Sequence, residues 1–186
     1  MNKFDYMRAM RLILPLITLI FYLSCSQDNS QDLPEGFERY FEENNWYSII
    51  KPVDWTAEKR IEPDGRTYLA LTSPVDASGH EANVSIIASD AADKSIDQYT
   101  QNLLASYIQL FKTFDLESRD TLRINDIKFG SFVIKGDLEG KTYLMYTVYT
   151  IHNGRLYQLN ALAPVQRYEN DKAVMDQIIS SFKITR

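Results

Sequence analysis

Between Ser73 and Asn83 the chain gathers Asp76, Ser78, His80 and Glu81 on one loop. An imidazole with two carboxylates is a donor set able to hold a metal ion or a polar ligand, which makes Asp76, His80 and Glu81 the candidate binding residues. The run Gly79-His80-Glu81 opens like a zinc-protease helix, yet no second histidine follows four residues later. A surface turn leading into a strand is the plainer reading. His152, the other histidine, stands beside Asn153-Gly154 and reads as a hairpin residue. No Gly-x-Ser-x-Gly turn exists to expose a serine nucleophile. Gly36, Gly65, Gly79, Gly130, Gly136, Gly140 and Gly154 are scattered at apparent turns rather than gathered into a phosphate-binding loop. No cofactor is expected. Tyr143, Tyr146, Tyr149 and Tyr157 are a further candidate surface, because tyrosine offers apolar area and a hydroxyl together; they also suit an ordinary sheet.

The only cysteine, Cys25, carries a different chemistry. Lys3, Arg8 and Arg11 precede an apolar segment, Leu12 to Leu23, broken only by Pro15 and Thr18. That segment is short for a membrane span, which takes about twenty apolar residues, and suits a secretory signal, whose apolar region takes about 7 to 15. Tyr22-Leu23-Ser24-Cys25 resembles a bacterial lipobox, with Tyr22 standing where an aliphatic residue is more usual. The resemblance implies that residues 1–24 are removed and that Cys25, joined to lipid, becomes the first residue of the mature chain. Two or three acyl chains on one residue make a durable tether where one alone binds reversibly. Ser26, a non-acidic residue, permits the outer membrane by resemblance to lipoprotein sorting in two-membrane bacteria. The expected location is the cell envelope, facing the periplasm or the surface.

The whole chain carries a formal charge of -5. Residues 1–24 hold Lys3, Arg8 and Arg11 against Asp5, so their loss makes the remainder more acidic. An acidic exterior argues against a nucleic-acid partner, whose phosphates need clustered Lys and Arg. With Cys25 acylated no thiol remains, so disulfides, cysteine-ligated zinc and a cysteine nucleophile are excluded. Stability must come from one core, for which residues 37–186 suffice.

The elements that position these residues are read from period and punctuation. Residues 25–36 are polar and read as a flexible linker ahead of a domain over 37–186. Phe37, Tyr40 and Phe41 at i, i+3 and i+4 predict a short amphipathic helix. Strands are predicted at Trp46 to Ile50, Thr67 to Thr72 and Asn83 to Ser89. From Ile96 to Phe114 the apolar residues trace a helical face, and Ser95 with Gln98 forms a capping box. Alternation resumes in four strands, Leu116 to Ile124, Ile127 to Lys135, Tyr143 to Ile151 and Arg155 to Ala163. Asp137 to Gly140 and Asn153-Gly154 mark hairpins. A closing helix is predicted from about Asn170, capped by Asn170 or Asp171. This order predicts an α+β fold, an antiparallel β-sheet with helices packed on both faces.

Tyr47-Ser48-Ile49-Ile50-Lys51-Pro52-Val53-Asp54-Trp55, an aromatic strand residue followed by a proline and then a tryptophan, resembles the opening signature of the PsbP-like family. That family is named for the extrinsic photosystem protein and includes many small bacterial lipoproteins. Asp54 stands where a glycine commonly precedes the tryptophan. The family's ending, a strand running into a helix that finishes in Ser-Phe, is matched by Tyr157 to Ala161 and by Ile178-Ile179-Ser180-Ser181-Phe182. The resemblance covers about residues 44 to 184 and implies an α-β-α sandwich with an accessory or binding role; its motifs contain no catalytic group. The expectation is a membrane-anchored envelope lipoprotein with a non-catalytic domain that binds a protein partner or small ligand. The alternative is a tethered metal-dependent hydrolase using the loop around His80.

Overall fold

Three two-residue turns, Asn125-Asp126, Glu139-Gly140 and Asn153-Gly154, place all six residues at positive φ, between 46° and 80°. Turns of that hand match the right-handed twist of the strands they join. They fold β6 (Phe114–Ile124), β7 (Ile127–Leu138), β8 (Lys141–His152) and β9 (Arg155–Pro164) into an antiparallel meander. The computed structural model describes residues 33–44, 46–91 and 94–186. Cys25, the expected signal segment 1–24 and the expected linker up to residue 32 lie outside the described residues.

The meander is continued by β5 (Asn83–Asp90), β4 (Thr67–Thr72) and β3 (Thr56–Ile61), giving seven strands in the order β3-β4-β5-β9-β8-β7-β6. A second, smaller sheet has the order β1-β2-β10, formed by β1 (Phe37–Phe41), β2 (Tyr47–Pro52) and β10 (Lys183–Ile184). One sheet was expected; two antiparallel sheets and two helices are found. The predicted helix at Phe37, Tyr40 and Phe41 is β1. It pairs with β2 from Phe37↔Pro52 to Phe41↔Ser48, because β2 is buried throughout and its backbone needs partners on both sides. Strand β3, TAEKRI, has no apolar alternation to reveal it, since it is a mostly exposed edge strand protected by charge.

Helix α1 (Ile96–Leu110) begins at Ser95, whose side chain accepts from the Gln98 amide while Gln98 Oε1 accepts from the Ser95 amide. It ends before Phe114, which the helical face was expected to include. Phe111 is already extended, and the Lys112 amide donates to the Asp137 carbonyl at 2.8 Å, turning the chain into β6. Helix α2 (Val165–Ser180) starts directly after Pro164, about a turn earlier than predicted and without a side-chain cap. Asp171, read as a cap, instead accepts both the Nε and Nη2 of Arg167 one turn back, at 2.7 and 2.8 Å.

The core forms two clusters. Met175, Ile178 and Ile179 of α2 pack with Ile49, Leu71, Ile86, Val148 and Leu159. Leu103, Tyr107 and Phe111 of α1 and its C-terminal cap pack with Phe132, Ile134, Met145 and Tyr149. Phe182 joins the two sheets, its ring 5.3 Å from Tyr47, 5.7 Å from Tyr157 and 6.3 Å from Phe129. Beside it Ser181 Oγ accepts the Ile50 amide at 2.9 Å. The buried Lys51 ammonium closes the Pro52-Trp55 turn through the Trp55 carbonyl, 2.8 Å, and pairs with Glu38 at 2.5 Å. Among the described residues no helix is long and apolar enough to cross a membrane.

Candidate functional site

The loop between β4 and β5 does bring Asp76, Ser78 and His80 together, but in an arrangement that holds the loop itself. Asp76 Oδ1 accepts the Ser78 amide, the Ser78 hydroxyl and the His80 amide at 2.8, 2.7 and 2.9 Å. Its Oδ2 pairs with Arg167 of α2 at 3.0 Å, and Arg167 also donates to the His80 carbonyl at 2.9 Å. The His80 amide bond, then Ser78 and the Arg167 charge, hold the Asp76 carboxyl down at about 2. Ser78 Oγ stands 3.0 Å from His80 Nδ1. Here, however, the serine lies between carboxylate and imidazole, whereas a catalytic triad needs the histidine in the middle to take the serine proton. Glu81 is exposed and makes no ion pair with this group. Among the described residues no three His, Cys, Asp or Glu side chains are grouped as metal ligands.

The four tyrosines separate. Tyr157 is buried among Tyr47 and Phe182, and Tyr149 is buried under α1, its hydroxyl 2.8 Å from Thr100 Oγ1. Tyr143 is partly buried beside the α1 cluster. Tyr146 lines a groove beside α2, and Tyr149 one beside α1.

A polar network under α1 escaped the sequence reading. Asn160 Oδ1 accepts from Tyr107, Gln158 and Thr147 at 3.0, 2.9 and 3.0 Å, and Asn160 Nδ2 donates to Ser85 at 3.3 Å. Gln158 also donates to the Tyr107 hydroxyl at 2.8 Å and accepts from Tyr99. Burial pushes the Tyr107 hydroxyl up to about 12, so it stays a donor throughout the neutral range. The available signal was the alternation of Gln158 and Asn160 with Tyr157, Leu159 and Ala161 on a strand buried on both faces.

Two grooves flank the helices. Beside α1 a space of about 340 Å³ has Tyr149, Gly130, Ile96 and Ile151 within it and Arg119 and Lys128 among its charged residues. Beside α2 a space of about 310 Å³ lies over β6 to β8. Its floor includes Leu122 of β6 with Val133 and Tyr146, cross-strand partners on β7 and β8. Its wall is the α2 stripe Tyr168, Lys172, Asp176 and Ile179. Both volumes sit at the small end of ligand pockets, which run from about 300 to 1,000 Å³.

These features define an α+β domain of two antiparallel sheets and two helices, with a self-satisfied charged loop and open grooves beside the helices. The chain belongs to the PsbP family, whose model matches residues 35–184. In fold it is similar to cyanobacterial PsbP from Synechocystis, with a TM-score of 0.60 at 16% identity over 87% of this chain and 97% of that one. It is similar also to PA94 from Pseudomonas aeruginosa, with a TM-score of 0.58 at 12% identity over 81% of this chain and 97% of that one. LpqN, involved in cell envelope biogenesis of Mycobacterium tuberculosis, matches with a TM-score of 0.55 at 15% identity over 81% of this chain and 91% of that one. No curated protein matches the sequence. The motif residues Tyr47, Lys51, Trp55, Tyr157, Ser181 and Phe182 prove to be packing and turn-closing groups of this fold.

Proposed function

We propose that this chain is a lipid-anchored envelope protein whose PsbP domain is a non-catalytic binding or accessory module for a protein partner or small ligand. The observation that carries the reading is the fate of Asp76. Its four contacts are spent on its own loop and on Arg167, so the most reactive-looking residues serve to hold the domain together. Grooves beside the helices stay open to a partner, the usual setting for recognition. Family membership and the envelope role stated for LpqN support the same reading.

The anchor rests on the sequence around Cys25, and the outer membrane is favoured through Ser26. The domain is taken as an α-β-α sandwich with the seven-stranded sheet in the middle. In support, Met145 and Tyr149 of β8 pack with α1, while Val148 packs with the α2 cluster, as neighbours on a strand do when they point to opposite faces.

Crosslinking of the full-length chain in its own membranes, read by mass spectrometry against Cys25→Ala, tests the proposal. The expected result is a neighbour recovered repeatedly from the anchored chain and depleted in the variant. Stoichiometric metal and hydrolytic turnover, both lost in His80→Ala, would overturn it.

A further inference from the structure

We propose that the outward face of α1 is the surface through which two copies of this chain associate on the membrane. This rests on the reading of the chain as an anchored binding module and names a second copy as its protein partner.

The first observation is a run without charge. The chain holds 20 Lys and Arg and 25 Asp and Glu in 186 residues, yet Gln98 to Phe111, nearly all of α1 with its C-terminal cap, holds none. Helix α2 carries Arg167, Glu169, Asp171, Lys172 and Asp176. Gln98, Asn102, Ala105 and Gln109 follow one another at four, three and four residues, which sets them in one stripe along α1, and all four are exposed. The stripe lies on the side away from the buried Thr100, Leu103 and Tyr107.

The second observation is exposed aliphatic surface on the same helix. Ile108 and Leu110 flank the stripe and are 57% and 55% exposed, whereas α2 exposes no large apolar side chain. Leu116 of β6, exposed too, stands opposite Ile134 on the side of the sheet that α1 covers. Exposed aliphatics with no charge among them match the core of an interface, which is depleted in charged residues.

Charge decides the occupant. A two-fold contact sets one face against itself, so a charged group near the axis meets its own like charge. The α1 face avoids this, in a chain whose formal charge of -5 otherwise holds copies apart. A foreign protein is steered and selected by opposite charges, which this face does not offer. A bilayer calls for Lys and Arg beside Trp, Phe or Leu, whereas the stripe presents amides and an alanine. The fifteen residues of α1 make a helix about 22 Å long, and a single face of that length falls short of the ~1,200 Å² that a stable dimer buries. Association therefore depends on the anchor, which confines both copies to one surface.

The test crosslinks the full-length chain in its own membranes with a short bismaleimide. Asn102→Cys and Gln109→Cys are compared with wild type, which reports any free Cys25 thiol, and with Ala173→Cys on the exposed side of α2. The proposal expects covalent dimers from both α1 variants, well above wild type and Ala173→Cys. Ala105→Glu or Ala105→Lys, each added to Gln109→Cys, should lower the yield about tenfold, because like charges then meet across the axis. Both are good helix formers at an exposed position, so the fold tolerates them. Co-expression of the Glu and Lys variants under different tags should restore a mixed dimer, which neither a packing defect nor a foreign partner would produce. Absence of dimer from both α1 variants, an equal yield from Ala173→Cys, indifference to the charges, or failure of the mixed pair to recover overturns the proposal. A different protein captured at α1 also overturns it and leaves the module reading intact. That reading fails separately, through the metal and turnover measurements above.

Discussion

The ring of Tyr149 lies directly over Gly130 on the adjacent strand: a Cβ built on Gly130 would stand 2.7 Å from the tyrosine Cζ and 2.8 Å from its hydroxyl oxygen. Gly130 is not at positive φ, so its need for glycine is one of space rather than backbone freedom. The same strand repeats the device at Gly136, where a Cβ would meet the Phe111 ring at 2.7 Å. Two glycines on β7 thus make room for aromatic side chains beneath and beside α1.

Gly130→Ala should destabilise the chain by ~1–3 kcal/mol through overpacking. Urea unfolding of Gly130→Ala, Tyr149→Ala and the double variant checks the cause. The double variant should cost clearly less than the two single costs combined, because the clash needs both partners. Full additivity would place the cost elsewhere.

Asn160→Leu should cost ~2–4 kcal/mol, since it deprives the buried Tyr107, Gln158 and Thr147 donors of a shared acceptor. Hydrogen exchange should quicken first in α1, which reaches the sheet through Tyr99 and Tyr107. An unchanged α1 would mean that the network contributes little to seating the helix.

Glu42, only 1% exposed, accepts the Asn44 amide at 2.9 Å and faces Lys59 at 3.4 Å, tying the end of β1 to edge strand β3 of the larger sheet. Glu42→Ala and Lys59→Met should each destabilise the fold by ~1–3 kcal/mol. Together they should cost less than their sum, because the double variant strands neither charge. Thermal unfolding of the three variants supplies the comparison.

Asp76 sets a pH window. Its carboxyl lies at about 2 in the fold against an ordinary 3.8, so its contribution is full above pH 4 and lost as the pH falls towards 2. The Ser78 and His80 amides should therefore exchange faster across that interval while the sheet stays protected. In Asp76→Asn the acid step should disappear.

Much of this fold was legible because its turns carry their chemistry in sequence. Asn153-Gly154 and the run ending in Glu139-Gly140 close hairpins at positive φ, and Ser95 with Gln98 makes the capping box that the spacing predicts. The misses have physical causes. Phe37, Tyr40 and Phe41 have helical spacing, but the unpaired edge of β2 captures them as a strand. Gly130 and Gly136 look like turn glycines, yet what requires them is an aromatic ring arriving from elsewhere in the chain. The candidate site was legible in part: Asp76, Ser78 and His80 do meet, but Arg167, which completes their arrangement, is distant in sequence. Tyr143, Tyr146, Tyr149 and Tyr157 were read together as a candidate surface, whereas Tyr168, which lines a groove with Tyr146, was hidden by a helix predicted to start after it.

The most direct test of the account is the mass of the N-terminal peptide of the chain purified from its own membranes. A lipid anchor predicts a peptide beginning at Cys25 and carrying a diacylglyceryl group on sulfur and an acyl group on the new amine, with residues 1–24 absent. A peptide beginning at Met1, or Cys25 recovered as a free thiol, would contradict it.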